Sequence, residues 1–270
     1  MSMRTWPTVV AALALLSSCS AKADTSAPAS QRVAAGQHTT VLVELFTSEG
    51  CSSCPAADDE FADLVRNQPI ANVTVVGLGE HVDYWDNLGW RDVFSSAAFT
   101  ARQSHYDNSV FRTGSIYTPQ AVVDGQFQMV GSDRAAVRRA IQAAARSVKA
   151  AVSLNPQPSG ANEARATVIV DVPTGLAANH SLDVMYGMVE RNLVTNVRSG
   201  ENGGHVLKHG AVARSLESAG TIKPTERAFS KAVSLPIGAS WKKADLQLVA
   251  FVQDRTTGQV IGAAVHTLNP

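Results

Sequence analysis

The chain contains 270 residues, of which 45% are hydrophobic and 17% are charged, a composition typical of a soluble globular protein. Its 23 lysine and arginine residues balance its 23 aspartate and glutamate residues, so the formal net charge is zero at pH 7. This balance excludes the strongly basic surface of a typical nucleic-acid-binding protein, and we expect no nucleic-acid partner. The length is sufficient for two modest domains or one large domain.

The first residues have the pattern of an export signal. Arg4 precedes an apolar run over residues 9–16, which is too short to cross a bilayer as a helix. The run ends at Leu16-Ser17-Ser18-Cys19, which resembles the bacterial lipoprotein signal in which the cysteine becomes the lipidated first residue. A second interpretation stays open, because Ala21-Lys22-Ala23 offers a cleavage site for ordinary secretion.

We favour the lipoprotein interpretation because the apolar run ends directly at the cysteine, and it predicts a signal peptide over residues 1–18 and lipidation of Cys19. Ser20 stands where inner-membrane lipoproteins of this class have an aspartate. We therefore expect an exported, periplasmic protein with a lipid anchor in the outer membrane. Residues 19–37 are rich in alanine, serine, threonine and proline without periodicity, which predicts a flexible tether.

Folded structure is predicted to begin near His38 with a strand and a pair of cysteines. Residues 41–46 form a short apolar run typical of a strand, and turn-forming residues follow it. Cys51 and Cys54 come next, and residues 56–65 have apolar side chains at helical spacing. We therefore expect Cys51 at the start of a helix, where unpaired backbone N–H groups and the helix dipole favour a thiolate.

A second buried strand is predicted over residues 73–79, parallel to the first. Polar and aromatic residues follow it directly, among them His81, Asp83 and Trp85. Ligands of open α/β sheets bind at the carboxyl ends of strands, so we expect these side chains to share a rim with Cys51. They are candidates for a proton shuttle and for a wall that contacts the substrate, and the alternative is the packing of a capped loop.

Two helices and a hairpin complete the first half of the chain. Helical spacing is present over residues 92–106 and 133–149, and Asp124-Gly125 predicts a tight turn between two strands. Thr118-Pro119 precedes the first of these strands. A proline lacks the N–H that a strand interior uses, so we favour a special role at this step over that of an ordinary turn residue.

The resulting order is strand, Cys-x-x-Cys helix, strand, helix, two strands and helix. This order, with Thr118-Pro119 before the next-to-last strand, resembles the thioredoxin fold over residues 38–150. The resemblance implies a cis-proline at Pro119 and a Thr118 backbone that pairs with a bound peptide. It therefore adds Thr118 and Pro119 to the candidate catalytic residues Cys51 and Cys54.

A closer resemblance rests on three segments, residues 45–55 (LFTSEGCSSCP), 81–86 (HVDYWD) and 117–120 (YTPQ). They are similar to a family of exported bacterial thioredoxin-like proteins that is catalogued only as a domain of unknown function. The similarity covers the whole mature chain. It implies the fold, whereas an activity follows from it only by analogy.

The character of the sequence changes from about residue 151. Residues 155–160 form a turn-rich boundary, and segments of alternating polarity follow it. Strands are predicted at residues 165–172, 181–191, 208–216, 228–235, 246–253 and 259–266. The sequence therefore predicts an α/β class in which a thioredoxin-like domain (38–150) is followed by a C-terminal antiparallel β-sandwich-like domain (151–270).

The glycine-rich segment 200–205, with His209 four residues after it, is the most unusual part of the C-terminal half. Such a loop could fold over the rim that contains Cys51 and restrict substrates. It could also be a long hairpin loop at the surface, which is the interpretation we favour.

The cysteine count limits the chemistry. Apart from Cys19, the exported chain has only the cysteines Cys51 and Cys54, so it does not use disulfides as a scaffold. Redox chemistry and a two-thiolate metal site are the functions that remain for this pair. A zinc site would need two further ligands with close spacing, so we expect no metal and no other cofactor. The residues considered for that role, which lack this spacing, are His81, Asp83, His205 and His209.

The favoured function is a thiol-disulfide oxidoreductase of the cell envelope whose partners are thiol- or disulfide-containing proteins. Cys51 would attack as the thiolate, and Cys54 would resolve the mixed disulfide. Ser52 and Ser53 are uncharged, so we do not expect an extreme oxidant. The alternative is a non-catalytic envelope module for binding or assembly, which docks a peptide or a metal ion on the same rim.

Overall fold

The structure is a computed structural model that describes residues 1–3, 38–176 and 179–268. The predicted signal peptide (1–18), the lipidation site Cys19 and the tether (19–37) therefore lie outside the described residues, except for residues 1–3. Among the helices that the structure describes, none is long and apolar enough to cross a membrane. The described residues from 38 onward belong to one compact unit.

This unit combines strands and helices along its whole length. Its described strands are Thr39–Thr47 (β1), Val73–His81 (β2), Gln120–Val123 (β3), Phe127–Val130 (β4), Ala151–Gln157 (β5), Glu163–Asp171 (β6), Leu182–Asn196 (β7), Val206–Ile222 (β8), Ala228–Pro236 (β9), Leu246–Asp254 (β10) and Val260–Thr267 (β11). The α-helices are Pro55–Asn67 (α1), Ala97–His105 (α2) and Arg134–Ala144 (α3). A π-helical turn, Tyr106–Phe111, continues α2, and a short 3-10 helix, Lys243–Asp245, precedes β10.

Most strands join one continuous sheet in the order β11-β10-β7-β8-β2-β1-β3-β4, and a second sheet has the order β5-β6-β9. β1 pairs in parallel with β2 from the Thr39–Val73 pair to the Thr47–His81 pair. β3 runs antiparallel to β1, and β8 joins β2 in parallel through the Gly79–Val212 pair. The α/β class predicted from the sequence is confirmed.

The division predicted at residue 150 stays a prediction. The chain passes there from α3 to β5, and strands from both sides of it pair in the continuous sheet. Two apolar cores lie against this sheet. One contains side chains of β1, β2, α1 and α3, and the other contains side chains of β6 and β9 packed against those of β7 and β10. The two sheets therefore meet in the second core.

The first helix forms where the sequence predicts it. Pro55 occupies the first turn, where its missing N–H removes no helical hydrogen bond. The helix ends before Gln68, whose left-handed backbone lets its N–H donate to the Leu64 carbonyl. The apolar side chains that the helix buries are Ala57, Phe61, Ala62 and Leu64. α1 thereby fixes Cys54 at its N-cap position.

The second helix starts later than predicted, at Ala97 instead of Asp92. The Asp92 side chain is buried, and its Oδ1 accepts a hydrogen bond from the Phe94 N–H at 2.8 Å. Ser96 caps α2 by accepting a hydrogen bond from the Ala98 N–H at 3.2 Å. The local turn at residues 92–96 therefore replaces the first predicted helical turn and places a carboxylate in the interior.

The C-terminal strands differ from the prediction at two places. The turn-rich boundary predicted at residues 155–160 is wrong for residues 155–157, because β5 continues to Gln157 and includes Pro156. β5 is an edge strand of its sheet, where a proline is tolerated. β7 and β8 are also longer than predicted, and they pair as far as Asn196 and Val206.

Gly210 in β8 faces α1 at a contact that leaves no room for a side chain. A Cβ atom at Gly210 would lie 2.5 Å from Ala62 Cα. We predict that Gly210→Ala lowers the free energy of unfolding by about 1–3 kcal/mol, since overpacking forces α1 and β8 apart. Gly160→Ala, where the added Cβ meets no atom within 4 Å, should change it by less than about 0.5 kcal/mol. Urea unfolding measures both values, and equal stabilities would contradict this packing.

Candidate functional site

Cys51 and Cys54 form a disulfide at the N-terminal end of α1, with their Cα atoms 5.4 Å apart. The Asp58 N–H donates to the Cys54 carbonyl at 3.0 Å, so the pair is continuous with the first turn of the helix. Both cysteines are 0% exposed, whereas Ser52 and Ser53 between them are exposed. The predicted Cys-x-x-Cys pair is therefore disulfide-bonded, and both of its sulfur atoms are covered.

The connection between β7 and β8, residues 197–205, is hydrogen-bonded to the cysteine turn, and we name it the cover loop. Asn202 Nδ2 donates to the carbonyl oxygens of Glu49 and Cys51, each at 2.9 Å. The Ser52 N–H donates to Glu201 Oε2 at 3.0 Å. Glu201 thus lies just ahead of α1, where free backbone N–H groups attract an anion, and the hydrogen bonds from Ser52 lower the pKa of its carboxyl group.

Two glycines allow the cover loop to approach the connection between β2 and α2. Gly89 and Gly200 have positive φ angles of 102° and 73°, and a Cβ at Gly89 would lie 3.1 Å from Gly200 Cα. Ser199 Oγ donates to the Gly89 carbonyl at 2.6 Å. Both interpretations of residues 200–205 describe part of this arrangement, since the segment is a hairpin loop and it also lies over Cys51.

A buried polar network lies beside the cysteine turn and contains Glu49, His81, Asp92 and His209. His81 Nδ1 bonds to Asp92 Oδ2 at 2.6 Å, and His209 Nε2 bonds to Glu49 Oε1 at 3.1 Å. The two pairs are linked, because the Glu49 N–H donates to Asp92 Oδ2 at 2.9 Å and the imidazole rings lie 4.9 Å apart. All four residues are at most 3% exposed. Hydrogen bonding within the network therefore offsets part of the cost of burying these polar side chains.

The pKa values of His81 and Asp92 are shifted in opposite directions. Burial acts to lower the pKa of His81, but the charge and hydrogen bond of Asp92, together with the charges of Asp58 and Glu49, outweigh burial, and the pKa of His81 is raised. Burial acts to raise the pKa of Asp92, but the charge of His81 and the N–H groups of Glu49 and Phe94 lower the pKa overall. Both shifts favour the charged forms, so the pair is an ion pair.

Asp58 lies one helical turn after Cys54 and shares its face of α1. Burial raises the pKa of the Asp58 carboxyl group, against the opposing charges of His209 and His81. Thr47 Oγ1 donates to Asp58 Oδ2 at 3.3 Å. A buried carboxyl group with a raised pKa can accept and return a proton during thiol chemistry close to the disulfide.

A cavity of about 560 Å³ lies between the first turn of α1 and the cover loop. Its wall includes Ser52 and Asp58 on one side and Glu201 and His205 on the other. The cysteines do not form part of this wall. A reagent that enters the cavity therefore does not contact the sulfur atoms, which are buried.

The structure separates the three residues predicted on the rim. His81 lies in the buried network. Asp83 Oδ1 accepts a hydrogen bond from Thr100 Oγ1 of α2 at 2.6 Å. Trp85 Nε1 donates to Thr118 Oγ1 at 2.9 Å, beside the cis Thr118–Pro119 peptide that leads into β3. Trp85 and Thr118 are therefore brought together, whereas Asp83 is turned toward α2. The roles predicted for these residues stay predictions.

The residues considered as metal ligands have other contacts. His81 and His209 each bond to a carboxylate, Asp83 bonds to Thr100, and His205 lies in the cover loop. Within the part of the chain that the structure describes, no group of three or more His, Cys, Asp or Glu side chains is arranged to hold a metal ion.

Sequence reasoning misses Glu49 and Asp92 as site residues, and it includes Glu201 and Asn202 only within the glycine-rich segment 200–205, without a role for either. Glu49 is close to Cys51 in the sequence, and its charge next to an apolar strand is a signal that could have identified it. Asp92 was assigned to a helix start, and its inward turn is a tertiary effect. Asn202 is separated from Cys51 by 151 positions, so no local pattern pairs them.

Residues 42–253 match the family described as "Protein of unknown function (DUF1223)". The solved structure of HBP35 of Porphyromonas gingivalis is similar over 86% of this chain and 76% of that chain, with a TM-score of 0.60 and 14% identity. A domain of the outer membrane lipoprotein Omp28 from Porphyromonas gingivalis is similar over 46% of this chain and 90% of that chain, with 17% identity and a TM-score of 0.29. No curated protein matches the chain. The first likeness shows a shared fold, and the second has too low a TM-score to support an argument.

Asp92→Asn removes the counter-ion of His81. We predict a loss of about 3–5 kcal/mol in the free energy of unfolding near pH 6, because the change leaves a buried charge unpaired. The pKa of His81 is raised in the folded protein, so the stabilisation is complete below the ordinary value of 6.5 and is lost as the pH rises through the raised value. The loss caused by Asp92→Asn should therefore be smaller at about pH 9.

Urea unfolding at both pH values measures this difference. The control is Asp183→Asn, which removes a more exposed partner of Arg255 and should cost less than about 1 kcal/mol at either pH. If Asp92→Asn lowers the free energy of unfolding equally at both pH values, the pair is not charged in the native protein.

Asn202→Ala removes the two side-chain hydrogen bonds that hold the cover loop on the cysteine turn. Each such bond contributes about 0.5–1.5 kcal/mol, so the rate of disulfide reduction by dithiothreitol should increase about 5- to 100-fold. Timed trapping of free thiols measures the rate. Asn196→Ala, at an exposed position of the same hairpin, should leave it unchanged. The role of the cover loop fails if the Asn202→Ala variant is reduced at the wild-type rate.

Proposed function

The chain belongs to the family of unknown function that its residues 42–253 match, and we propose that it is a thiol-disulfide oxidoreductase of the cell envelope. One observation carries the proposal: the Cys51–Cys54 disulfide lies at the start of a helix, beside a buried network of histidines and carboxylates. A helix start favours a thiolate, and titratable groups of this kind supply and remove protons.

The architecture supports the thioredoxin-like assignment of residues 38–150. β1, α1 and β2 form a parallel strand-helix-strand unit, and β3, β4 and α3 follow, with β3 antiparallel to β1. The cysteines lie between β1 and α1, as in the fold that the sequence resembles. In residues 151–270, the contact of β6 and β9 with β7 and β10 supports a β-sandwich-like arrangement.

The proposed reaction begins with the reduced protein. The Cys51 thiolate attacks one sulfur of a substrate disulfide, which forms a mixed disulfide and releases the other substrate sulfur as a thiolate that takes up a proton. Cys54 loses its proton and attacks the Cys51 sulfur, which restores the internal disulfide and releases the second substrate thiol. Two electrons pass from the cysteine pair to the substrate, and the reverse sequence oxidises a substrate dithiol.

Glu201 links access to reactivity in this scheme. While the cover loop is closed, the Glu201 carboxylate occupies the Ser52 N–H at the start of α1 and places a negative charge near Cys51. Such a charge disfavours a neighbouring thiolate. Displacement of the cover loop frees the N–H group and removes the charge, so exposure of Cys51 and stabilisation of its thiolate occur together.

Asp58 is the proposed proton acceptor for Cys54, since it is one turn away on the same helix and burial raises the pKa of its carboxyl group. His81 is the proposed shuttle partner, and its charge acts on Asp58 together with that of His209. The His81–Asp92 ion pair holds the imidazole in place. Asp83 is a positioning residue in this scheme, because it fixes the segment after β2 to Thr100 of α2.

Trp85 and Thr118 form the proposed substrate wall. Trp85 packs beside Gly50, where a Cβ atom would lie 3.2 Å from Trp85 Cβ, and its indole bonds to Thr118. The Thr118–Pro119 backbone is the proposed docking edge for an extended peptide that carries the reacting disulfide. The proposed partners are thiol- or disulfide-containing proteins of the envelope.

The proposed location follows from the start of the chain. The export signal over residues 1–18 and the Leu16-Ser17-Ser18-Cys19 box support export to the periplasm and a lipid anchor at Cys19. Ser20 supports anchoring in the outer membrane. The alanine-, serine- and proline-rich residues that follow would then act as the tether between the lipid and the folded unit.

One observation favours the second candidate function, a non-catalytic envelope module for binding or assembly. Both cysteines are fully buried and hydrogen bonds hold the loop that covers them, as expected for a structural bridge. In that case the rim near Trp85 and Thr118 docks a peptide without chemistry at the cysteines.

Cysteine variants distinguish the two functions. We predict that Cys51→Ser abolishes insulin reduction, whereas Cys54→Ser accumulates a stable mixed disulfide with a substrate peptide because the resolving thiol is missing. A turbidity assay and mass spectrometry measure these outcomes. Cys19→Ser makes the same chemical change outside the pair and should retain full activity.

The docking module predicts a different result. Wild-type protein would then show no insulin reduction, Cys54→Ser would trap no mixed disulfide, and Cys51→Ser would bind the peptide as well as the wild type does. These three results together would overturn the proposed oxidoreductase.

A further inference from the structure

A second cavity, of about 720 Å³, lies between α2 and the strands β7 and β8. This volume falls within the range of roughly 300–1,000 Å³ that is typical of small-molecule sites. The apolar part of its wall consists of Phe94, Phe99, Met185, Leu216 and Trp241. Arg214 and Ser215 of β8 supply polar groups to the same wall.

A β-bulge places Arg214 at this cavity. Met188 of β7 pairs with Ser215 and Val189 pairs with Ala213, so Arg214 is the extra residue of β8 and has no partner across the ladder. Bulges re-aim a side chain and are frequent at functional sites. The guanidinium carbon of Arg214 lies 4.7 Å from the centre of the Trp241 ring, which holds it at the cavity.

The hydrogen-bonding capacity of Arg214 is not used within the described chain. Its Nε lies 3.7 Å from Glu190 Oε2, which is too long for a hydrogen bond, and the guanidinium donates to no other described group. The Lys242 N–H donates to Glu190 Oε1 at 2.9 Å. Ser215 Oγ is also buried, and no described group bonds to it. An oxygen ligand would supply the hydrogen bond that the buried Ser215 hydroxyl lacks and would accept hydrogen bonds from Arg214.

The other charges around the cavity indicate how much negative charge it accepts. Arg102 and His105 also line the wall. Arg102 already donates to Glu44 at 2.5 Å, and His105 Nδ1 lies 3.4 Å from Ser109 Oγ. Glu217 lines the wall as well and accepts a hydrogen bond from Tyr186 at 2.8 Å. One guanidinium with free donors, near the carboxylates of Glu190 and Glu217, therefore suits a monoanion better than a dianion such as a phosphomonoester.

We infer that this cavity binds a free single-chain carboxylate. Its carboxylate group bonds to Arg214 and Ser215, and its apolar chain lies against the apolar wall. Guanidinium and carboxylate match in geometry, and the apolar area supplies the rest of the affinity.

The site is independent of the thiol chemistry but is next to it. The Phe94 ring lines the cavity, and its centre lies 5.4 Å from the His81 ring and 5.5 Å from the His209 ring. A bound chain would therefore contact a side chain that packs on the buried network. Binding does not require the cysteines, so the Cys51→Ser variant should bind the carboxylate as the wild type does.

Titration calorimetry with dodecanoate, below its micelle concentration, tests the inference on the purified protein. We expect saturable binding at one site. Dodecyltrimethylammonium has the same chain with a cation and should bind at least about 10-fold more weakly. Arg214→Gln should weaken dodecanoate binding about 10-fold or more, whereas Arg165→Gln, at a more exposed arginine on β6, should leave it unchanged.

A second variant keeps the test decisive if Arg214→Gln folds poorly. Ala98→Trp changes an exposed position of α2 that lines the cavity, leaves Arg214 intact and should fill the space, so that dodecanoate no longer binds. The inference is overturned if the wild type does not bind dodecanoate, or if the Ala98→Trp variant binds it as well as the wild type. Binding to phosphatidylglycerol vesicles without binding of free dodecanoate would also overturn it.

Discussion

The side-chain amide of Asn202 joins the cover loop to the cysteine turn. Asn202 Nδ2 donates to the carbonyl oxygens of Glu49 and Cys51, and these bonds join segments that are more than 150 positions apart. The bonds form because β7 and β8 extend to Asn196 and Val206, which places the cover loop over the start of α1. β8 is held there by its pairing with β2 and its contact with α1. The sheet that joins both halves of the chain therefore also places the cover loop beside the disulfide.

Buried charge is the second constraint, and it is concentrated near the carboxyl ends of β1 and β2. Arg102 donates to Glu44 at 2.5 Å and lies 3.5 Å from Glu80, whose pKa is raised well above the ordinary value by burial and by Glu44. The His81–Asp92 pair lies at the end of β2. Such groups are costly to bury, and titratable side chains with shifted pKa values cluster at functional sites. Of these two groups, the His81–Asp92 pair adjoins the cysteine turn through the Glu49 N–H, whereas Arg102 and Glu44 contact Tyr106 and Gln253.

The local sequence pattern predicts those strands, helices and turns that are determined by residues close together in the chain. The strand at residues 41–46, the helix after Cys54 and the Asp124-Gly125 turn, with φ angles of 47° and 63°, form as expected, because periodicity and turn chemistry determine them. The inward turn of Asp92, the full length of the β7–β8 hairpin and the particular contact of Asn202 with Cys51 are not predictable from local pattern, although the sequence offers a loop over the rim as one interpretation of residues 200–205. Each depends on partners that are distant in sequence, and a pattern of alternating residues does not show how far a hairpin continues.

The central claim is that Cys51 and Cys54 are a redox pair and not a structural bridge. The reduction potential of the pair tests it most directly, by equilibration of the purified protein with glutathione or dithiothreitol buffers and trapping of free thiols. The account predicts a potential between about −270 and −120 mV, the range of known thiol-disulfide oxidoreductases. A potential below about −300 mV, typical of structural disulfides in secreted proteins, would contradict it.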